Sequence, residues 1–439
     1  LQRRGKLRVA IKILKRIRQM LSLEQIVRDP EKFRAALVRR GEDPPIGRIL
    51  ELDSRRKKLI QLADTDRARR NTVSKAIGDE KRKPTPEEIS EMRETGDRIK
   101  SVEADLDAVL TELNETLLPI PNTPLADVPD GLNEESNEII HTSDGATDSH
   151  GNAHWDVAPA LGILDLEAGA GISGARFFVM KGKGAKLQRA LAAWMLDVHT
   201  DEHGYTEIDP PLLVRSETMQ GSGNLPKFRE NLYHDDETDL WLVPTAEVAL
   251  NALHQGKIID PGVLPLKYVA QTPSFRKEHA AAGRDVRGIK RVHQFEKVEM
   301  FRFVEPRDSE AGLEEMLAEA TTLCERLGLT YRVLKLCAGD IGFQSAKTYD
   351  IEVWSPGSAE WLEVSSISTC TDFQARRNNT RYRPETGASP RLPHTLNGSG
   401  LALPRIWIAV IENGLQPDGS VVIPEEIVPY TGWERIEVP

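Results

Sequence analysis

The stretch Ser274–Phe303 reads SFRKEHAAAGRDVRGIKRVHQFEKVEMFRF. It is dense in charge, yet its two ends read as the strands of a β-hairpin. In a strand, side chains two apart share a face. Arg276 and Glu278 therefore share a face on the outgoing limb, while Phe275 and Lys277 point the other way. On the return limb His293, Phe295, Lys297 and Glu299 share a face. One surface thus gathers a guanidinium, two carboxylates and an aromatic ring. Arginine grips phosphate in a bidentate fork that lysine does not reproduce. An aromatic ring offers a base something to stack on, and a carboxylate accepts from an amine or ammonium. The set suits a nucleotide beside an amino acid. A solvated hairpin is the competing reading.

Around this hairpin, strand-like runs mostly succeed one another. RFFVM, YTEIDPPLLV, LWLVPTAEVAL, LPLKYVAQTPSFRKE and VHQFEKVEMFRFV lead on to TYRVLKL, TYDIEVWSP and EWLEVSSIS. Helical patterns fall at about 184–203, 309–327 and 401–413. Such an order predicts an α+β domain on an antiparallel sheet flanked by helices, not a doubly wound parallel one. No G-x-x-x-x-G-K-[ST] phosphate loop is present.

The first third has a different texture. Ile49, Leu52, Leu59, Ala63, Val73 and Ile77 follow 3–4 spacing, as do Met92, Ile99, Leu106, Leu110, Leu113 and Leu117. Pro84 and Pro86 separate the two runs, with Thr85 placed to start the second. The pattern predicts a long antiparallel helical hairpin, a coiled coil. Between Arg48 and Lys83 twelve Lys/Arg face six Asp/Glu. That surplus is either a solvated helix face or an arm drawn to a phosphate backbone. PNTPLADVPDGLNEESN, after the hairpin, is a linker by composition. The parts are then residues 1–19, 20–125 and 126–439. Residues 1–19 carry basic and no acidic side chains and read either as a basic arm or as a stretch upstream of a natural start at Met20.

At 439 residues the chain can bury large cores, and its net charge of −10 confines any nucleic-acid contact to a local basic patch. Cys324, Cys337 and Cys370 show no metal or disulfide spacing, which suits reduced thiols in a cytoplasm. No apolar run is long enough to span a membrane. His141, His150 and His154 lack metal-ligand spacing and read as exposed loop residues.

FRKE…GRDVRG…HQFEKVE resembles motif 2 of the class II aminoacyl-tRNA synthetases. TLNGSGLALPRIWIAVIEN resembles motif 3, and GYTEIDPPLLV resembles motif 1 with its dimer-interface proline at Pro210 or Pro211. PTAEVAL and EVSSISTCTDFQARR narrow the likeness to seryl-tRNA synthetases of the common bacterial type. The resemblance covers essentially Met20 to Pro439.

The resemblance implies ATP-dependent ligation of L-serine to tRNA(Ser), and also to tRNA(Sec), through a seryl-adenylate, by a homodimer. It implies that Arg276 holds the ATP α-phosphate, Glu278 the adenine amine and Arg405 the γ-phosphate, with Phe295 stacked on adenine. Lys277, Val364 and Ser365 belong to the same ATP segments. Glu363 and Ser366 would meet Mg²⁺ and the phosphates. Thr245, Ala246, Glu247 and Glu299 would bind serine, with Ser399 closing that pocket. Arg284 and Arg287 would meet the acceptor end of tRNA, and the hairpin its long variable arm. The motifs match the zinc-free form, so no zinc is expected. One departure is Ala249, where the family usually has proline, which removes a rigid turn but no contacting group. A silent RNA-binding paralogue, or a relative loading an amino acid onto a carrier protein, would share parts of this pattern.

Overall fold

A computed structural model describes residues 22–278 and 287–439. The basic stretch 1–19 and Arg284 lie outside the described residues. The chain divides into two compact units. One runs through Val38 and from Glu42 to Ile120; the other comprises Arg39–Gly41 and Pro121–Pro439.

The first unit is built on α1 (Ile46–Asp79) and α2 (Pro86–Leu117). They run antiparallel, as their cross-pairs show: Arg48 meets Glu112, Asp66 meets Arg98 and Arg69 meets Glu91. Ile49, Leu52 and Ala63 of α1 and Ile99, Leu106, Leu110, Leu113 and Leu117 of α2 are buried. Beyond Ala63 the α1 seam thins, with Val73 and Ile77 only half-buried, and charge pairs take over. Arg48, Arg67, Arg69 and Arg82 are committed to carboxylates within the hairpin. The outward basic surface is therefore smaller than composition suggests. Arg55, Lys58, Arg70 and Lys75 are exposed.

A capping box starts α2. The Thr85 hydroxyl accepts from the Glu88 N–H at 3.3 Å, and the Glu88 carboxylate accepts from the Thr85 N–H at 2.8 Å, with Pro86 following. Two otherwise orphaned amides are thus satisfied. Thr85→Ala is expected to cost about 1 kcal/mol. The loss should show as faster amide hydrogen exchange in the first turn of α2, with the Leu106–Leu117 end unchanged.

The second unit carries an eight-stranded sheet. In chain order the strands are β1 (Glu138–Thr142), β2 (Thr206–Glu207), β3 (Leu266–Phe275), β4 (Gln294–Val304), β5 (Tyr331–Lys335), β6 (Lys347–Ser355), β7 (Glu360–Thr371) and β8 (His394–Ala402). Their spatial order is β1-β5-β6-β7-β8-β4-β3-β2, antiparallel except for the edge pair β2–β3. The α+β antiparallel reading of the sequence is what the chain forms.

Strand β4 shows why the cavity lies where it does. Its even-numbered Val298, Met300 and Val304 enter the main core. That core also takes residues of α4 (Gly182–Asp197), α6 (Ser309–Arg326) and α7 (Leu403–Asn413). Its odd-numbered Phe301 and Phe303 pack on the other face against Ala246 and Leu250, the latter in α5 (Glu247–Ala252). The same odd face continues as Phe295, Lys297 and Glu299. One pleat therefore runs from core to cavity.

Locally the structure departs from the sequence reading: YTEIDPPLLV is strand only at Thr206–Glu207 and, past Pro210 and Pro211, from Leu213. The run LWLVPTAEVAL is not one strand: the strand ends at Leu242, before Pro244, and α5 begins at Glu247. His154 is not an exposed loop residue but fully buried at the start of α3 (His154–Ala160), because its ring finds polar partners inside the fold. No helix among the described residues is long and apolar enough to cross a membrane.

Candidate active site

Strands β4, β7 and β8, the N-terminus of α7 and the segment entering α5 surround a cavity of about 330 Å³. Arg276, Glu278, Phe295, Glu363, Val364, Ser366 and Arg405 line it, as do Thr245, Glu247, Glu299 and Ser399. Residues the sequence placed in one constellation thus meet across a large separation in the chain. Lys277, Ala246 and Ser365 do not line it. The Lys277 ammonium lies 5.5 Å from the Tyr233 ring. Ala246 is packed with Phe301 and Phe303. The Ser365 hydroxyl donates to the Ser399 carbonyl at 2.6 Å, bracing β8 from beneath. Arg287 is exposed, with its guanidinium 5.3 Å from the Trp155 ring.

The nucleotide-type groups form two contacts of their own. The Arg276 guanidinium sits 5.2 Å from the Phe295 ring and donates to the Pro244 carbonyl at 3.2 Å. Arg405 donates to the Glu363 carbonyl at 2.6 Å and lies 3.4 Å from its carboxylate. Glu278 adopts a left-handed φ of 48°, a conformation that costs a non-glycine residue energy and turns the chain sharply after Lys277.

Strict alternation would put Glu363 and Ser366 on opposite faces. A bulge resolves this: Ser365 pairs with Ile351 but Glu363 pairs with Glu352, so Val364 is the extra residue. Glu363 and Ser366 therefore both face the cavity. Beside Ser366 lies Asp350, whose Oδ1 is buried without a hydrogen-bond partner. Burial, then the neighbouring Glu363, push its carboxyl well above the usual range. The Glu363 carboxylate and Ser366 hydroxyl are hard oxygen donors that fit Mg²⁺, which takes one or two protein carboxylates and completes its shell with phosphate oxygens and water. No group of three or more His, Cys, Asp or Glu able to hold a metal occurs among the described residues.

The other group is more deeply buried. Glu299 is 1 % exposed and pairs with Lys297, a cavity residue that the hairpin parity put on this face without a role. Glu299 and Ser399 are cross-strand neighbours, which brings β8 over the same spot. Gly400 follows because a Cβ there would lie 2.4 Å from the buried His199 ring. Glu247 accepts from Gln374 at 2.6 Å and faces Glu299. Burial and then Glu299 push its carboxyl up to about 7, against the hydrogen bond from Gln374.

That shift has a sign. Between an ordinary 4.5 and about 7 the folded chain holds a proton on Glu247 that the unfolded chain has lost. Its contribution to stability is full below this window and is lost as pH rises through it. Glu247→Gln should therefore raise the thermal midpoint relative to wild type more at pH 8 than at pH 5. A pH-independent offset would contradict the assignment.

Lys290, Arg291, Gln344, Ser345 and Asn397 also line the cavity and escaped the sequence reading. Lys290 and Arg291 lie ahead of β4, which starts at Gln294, and have no strand parity to place them. Gln344 and Ser345 come from an irregular segment after β5. Asn397, beside Gly398 in TLNGSGLA, had a signal in that motif.

Residues 20–124 match the family model of the seryl-tRNA synthetase N-terminal domain, and 228–414 that of the class II tRNA synthetase core domain (G, H, P, S and T). A serine–tRNA ligase of Thermomicrobium roseum is 51% identical over 419 residues, 95% of this chain and 94% of the relative. One from Herpetosiphon aurantiacus is 47% identical over 422 residues, 95% of this chain and all of the relative. The seryl-tRNA synthetase of Pyrococcus horikoshii, solved with ATP, superposes with a TM-score of 0.90 at 35% identity, covering 96% of this chain and 100% of that one. With half its residues identical to a relative across nearly its whole length, the chain belongs to the seryl-tRNA synthetase family of class II aminoacyl-tRNA synthetases.

Proposed function

We propose that the cavity activates L-serine with ATP and that the enzyme then transfers the seryl group to tRNA(Ser). The supporting observation is the joint lining of one cavity by Arg276, Phe295 and Arg405 with Thr245, Glu299 and Ser399. The serine carboxylate oxygen attacks the α-phosphorus and forms a P–O bond. The bond to the bridging oxygen breaks and pyrophosphate leaves with that electron pair. Attack of a terminal tRNA hydroxyl on the seryl carbonyl then releases AMP. No protein nucleophile is needed, so catalysis is positioning and charge stabilisation.

Arg276 holds the α-phosphate and Arg405 the γ-phosphate, with Phe295 beneath adenine and Glu278 at its amine. Lys277 and Ser365 act from behind this layer. Glu299 and Thr245 orient serine, Ser399 closes the pocket, and Ala246 and Glu247 support it. Glu363 and Ser366 would hold Mg²⁺, which supplies positive charge to the phosphates. Arg284 and Arg287 meet the tRNA acceptor end. Residues 20–125 form the tRNA-binding part and 126–439 the catalytic part of a homodimer. tRNA(Sec) is a second acceptor, by the family resemblance. Three buried cysteines carried as thiols suit a cytoplasmic enzyme.

Serine-dependent ATP–pyrophosphate exchange tests the reading: wild-type protein with Mg²⁺ is expected to show it, and its absence would overturn the enzyme. Arg276→Ala should lose about 3–4 kcal/mol of transition-state stabilisation, mainly in kcat rather than in the KM for serine. A change confined to the serine KM would remove Arg276 from the phosphate.

A further inference from the structure

Ahead of β4 the chain runs through Arg287, Gly288, Ile289 and Lys290. Nothing in β4 fixes them, since that strand starts at Gln294. What fixes them is α3, far earlier in the chain. The Ile289 N–H donates to His154 Nε2 at 3.2 Å. The Arg287 guanidinium and Lys290 ammonium lie 5.3 and 5.0 Å from the ring centroid of the adjacent Trp155. Gly288 takes a φ of +69°, and a Cβ there would lie 2.0 Å from His154 Nε2, so the backbone passes this ring as closely as glycine allows.

The His154 ring is held from its other side. Nδ1 lies 3.0 Å from Glu412 Oε1 on α7, and the His154 N–H donates to the same oxygen at 2.8 Å. Glu412 is fully buried and also accepts from Ser355 and from the Gly357 N–H at 3.0 Å. Despite burial, these donors hold its carboxyl below the ordinary range. A carboxylate only accepts, so Nδ1 carries the proton and Nε2 is left as the acceptor that Ile289 uses.

We propose that His154 and Trp155 form a positioning clamp for the nucleotide side of the cavity. His154 pins the Ile289 backbone and Trp155 steadies the Lys290 ammonium. Lys290 in turn offers its carbonyl to Arg405 Nε at 3.4 Å and its ammonium to Glu360. Lys290 and Arg405 both line the cavity, whereas neither His154 nor Trp155 does. The clamp therefore bears directly on Lys290, and through the Lys290 carbonyl on Arg405, which Glu363 also holds, without touching the substrate. Thr245, Glu299 and Ser399 stand on the segment entering α5, on β4 and on β8, and do not depend on it. Its consequence for ATP rests on the nucleotide reading above.

The test uses His154→Asn, which keeps a donor for Glu412 but no acceptor in reach of Ile289, together with Trp155→Ala and Trp155→Phe. Hydrogen exchange followed by mass spectrometry should show residues 287–292 exchanging faster in His154→Asn, with 294–304 unchanged. In pyrophosphate exchange, His154→Asn and Trp155→Ala should raise the KM for ATP about tenfold, the scale of one missing hydrogen bond to a working group. The KM for serine should stay at the wild-type value, and Trp155→Phe should restore most of the ATP affinity. Equal rises in both KM values would mean a general loosening and overturn the clamp, as would wild-type ATP kinetics in both disruptive variants. If His154→Asn fails to fold, the half-buried Trp155 pair carries the test. If wild-type protein shows no exchange, the ATP reading has failed, and hydrogen exchange alone decides the clamp.

Discussion

Glu299→Ala is expected to abolish serine activation while leaving ATP binding intact. Glu299 is 1 % exposed, so its carboxylate works in a setting where water does not compete. Lys297, 7 % exposed, pairs with it, and truncation leaves that ammonium buried with its counter-charge gone. Losing one preorganised, buried charge contact to the substrate costs about 3–4 kcal/mol, roughly 100- to 700-fold in kcat/KM for serine. ATP affinity, measured by equilibrium titration, should hold, because Arg276, Phe295 and Arg405 belong to the other contacts of the cavity. Discrimination should fall with activity. A site that hydrogen-bonds the serine hydroxyl rejects alanine because polar groups are stranded when alanine enters. Without Glu299 fewer are stranded, so the serine-to-alanine ratio in pyrophosphate exchange should shrink. Glu299→Gln, which keeps a hydrogen-bonding group but not the charge, should fall between the two. Near-normal serine activation by Glu299→Ala would remove this residue from the serine site.

The contrast between β4 and β7 shows what was legible in the sequence. On β4 the period of two holds without interruption from Phe295 to Phe303, so parity alone put Phe295, Lys297 and Glu299 on one face, and they line one cavity. On β7 a single extra residue, Val364, shifts the register, and parity alone would have separated Glu363 from Ser366. The family motif joined them, and the bulge is what brings both to one cavity. The helical hairpin was legible because prolines and Thr85 punctuate it. His154 was not, since a histidine's burial depends on Glu412 and Ile289, more than a hundred residues away, and no local pattern encodes them. Arg302 makes the same point. It sits on the even face of β4, yet Tyr205, Glu315 and Glu319 make a fully buried guanidinium tolerable there. Long-range partners, not local period, decide where charge goes inside.

Replacing residues 46–118 with a short flexible loop should leave seryl-adenylate formation nearly unchanged and collapse the charging of tRNA. The two units have separate cores, and every residue lining the cavity belongs to the second. Activation needs only ATP, serine and those residues. Charging also needs tRNA to be delivered, and the features suited to that lie on α1, where Arg55, Lys58, Arg70 and Lys75 are exposed on a chain whose net charge is −10. Cationic side chains on phosphates position a nucleic acid, and counterion release gives them their pull. Wild-type charging should therefore weaken steeply with salt, while pyrophosphate exchange should not. Removing one phosphate-binding cation should lower the salt slope of tRNA binding by about 1. A variant with Arg55, Lys58, Arg70 and Lys75 changed to serine keeps the buried seam and separates charge from fold: its salt slope should drop and its exchange activity should not. In a homodimer the arm of one subunit can serve the other's site. Mixed dimers, one subunit lacking the hairpin and its partner carrying Arg276→Ala, should then recover charging that neither parent shows. Full charging by the hairpin deletion would refute the arm's role. Mixed dimers that stay inactive would refute delivery across the dimer while leaving the arm itself in place.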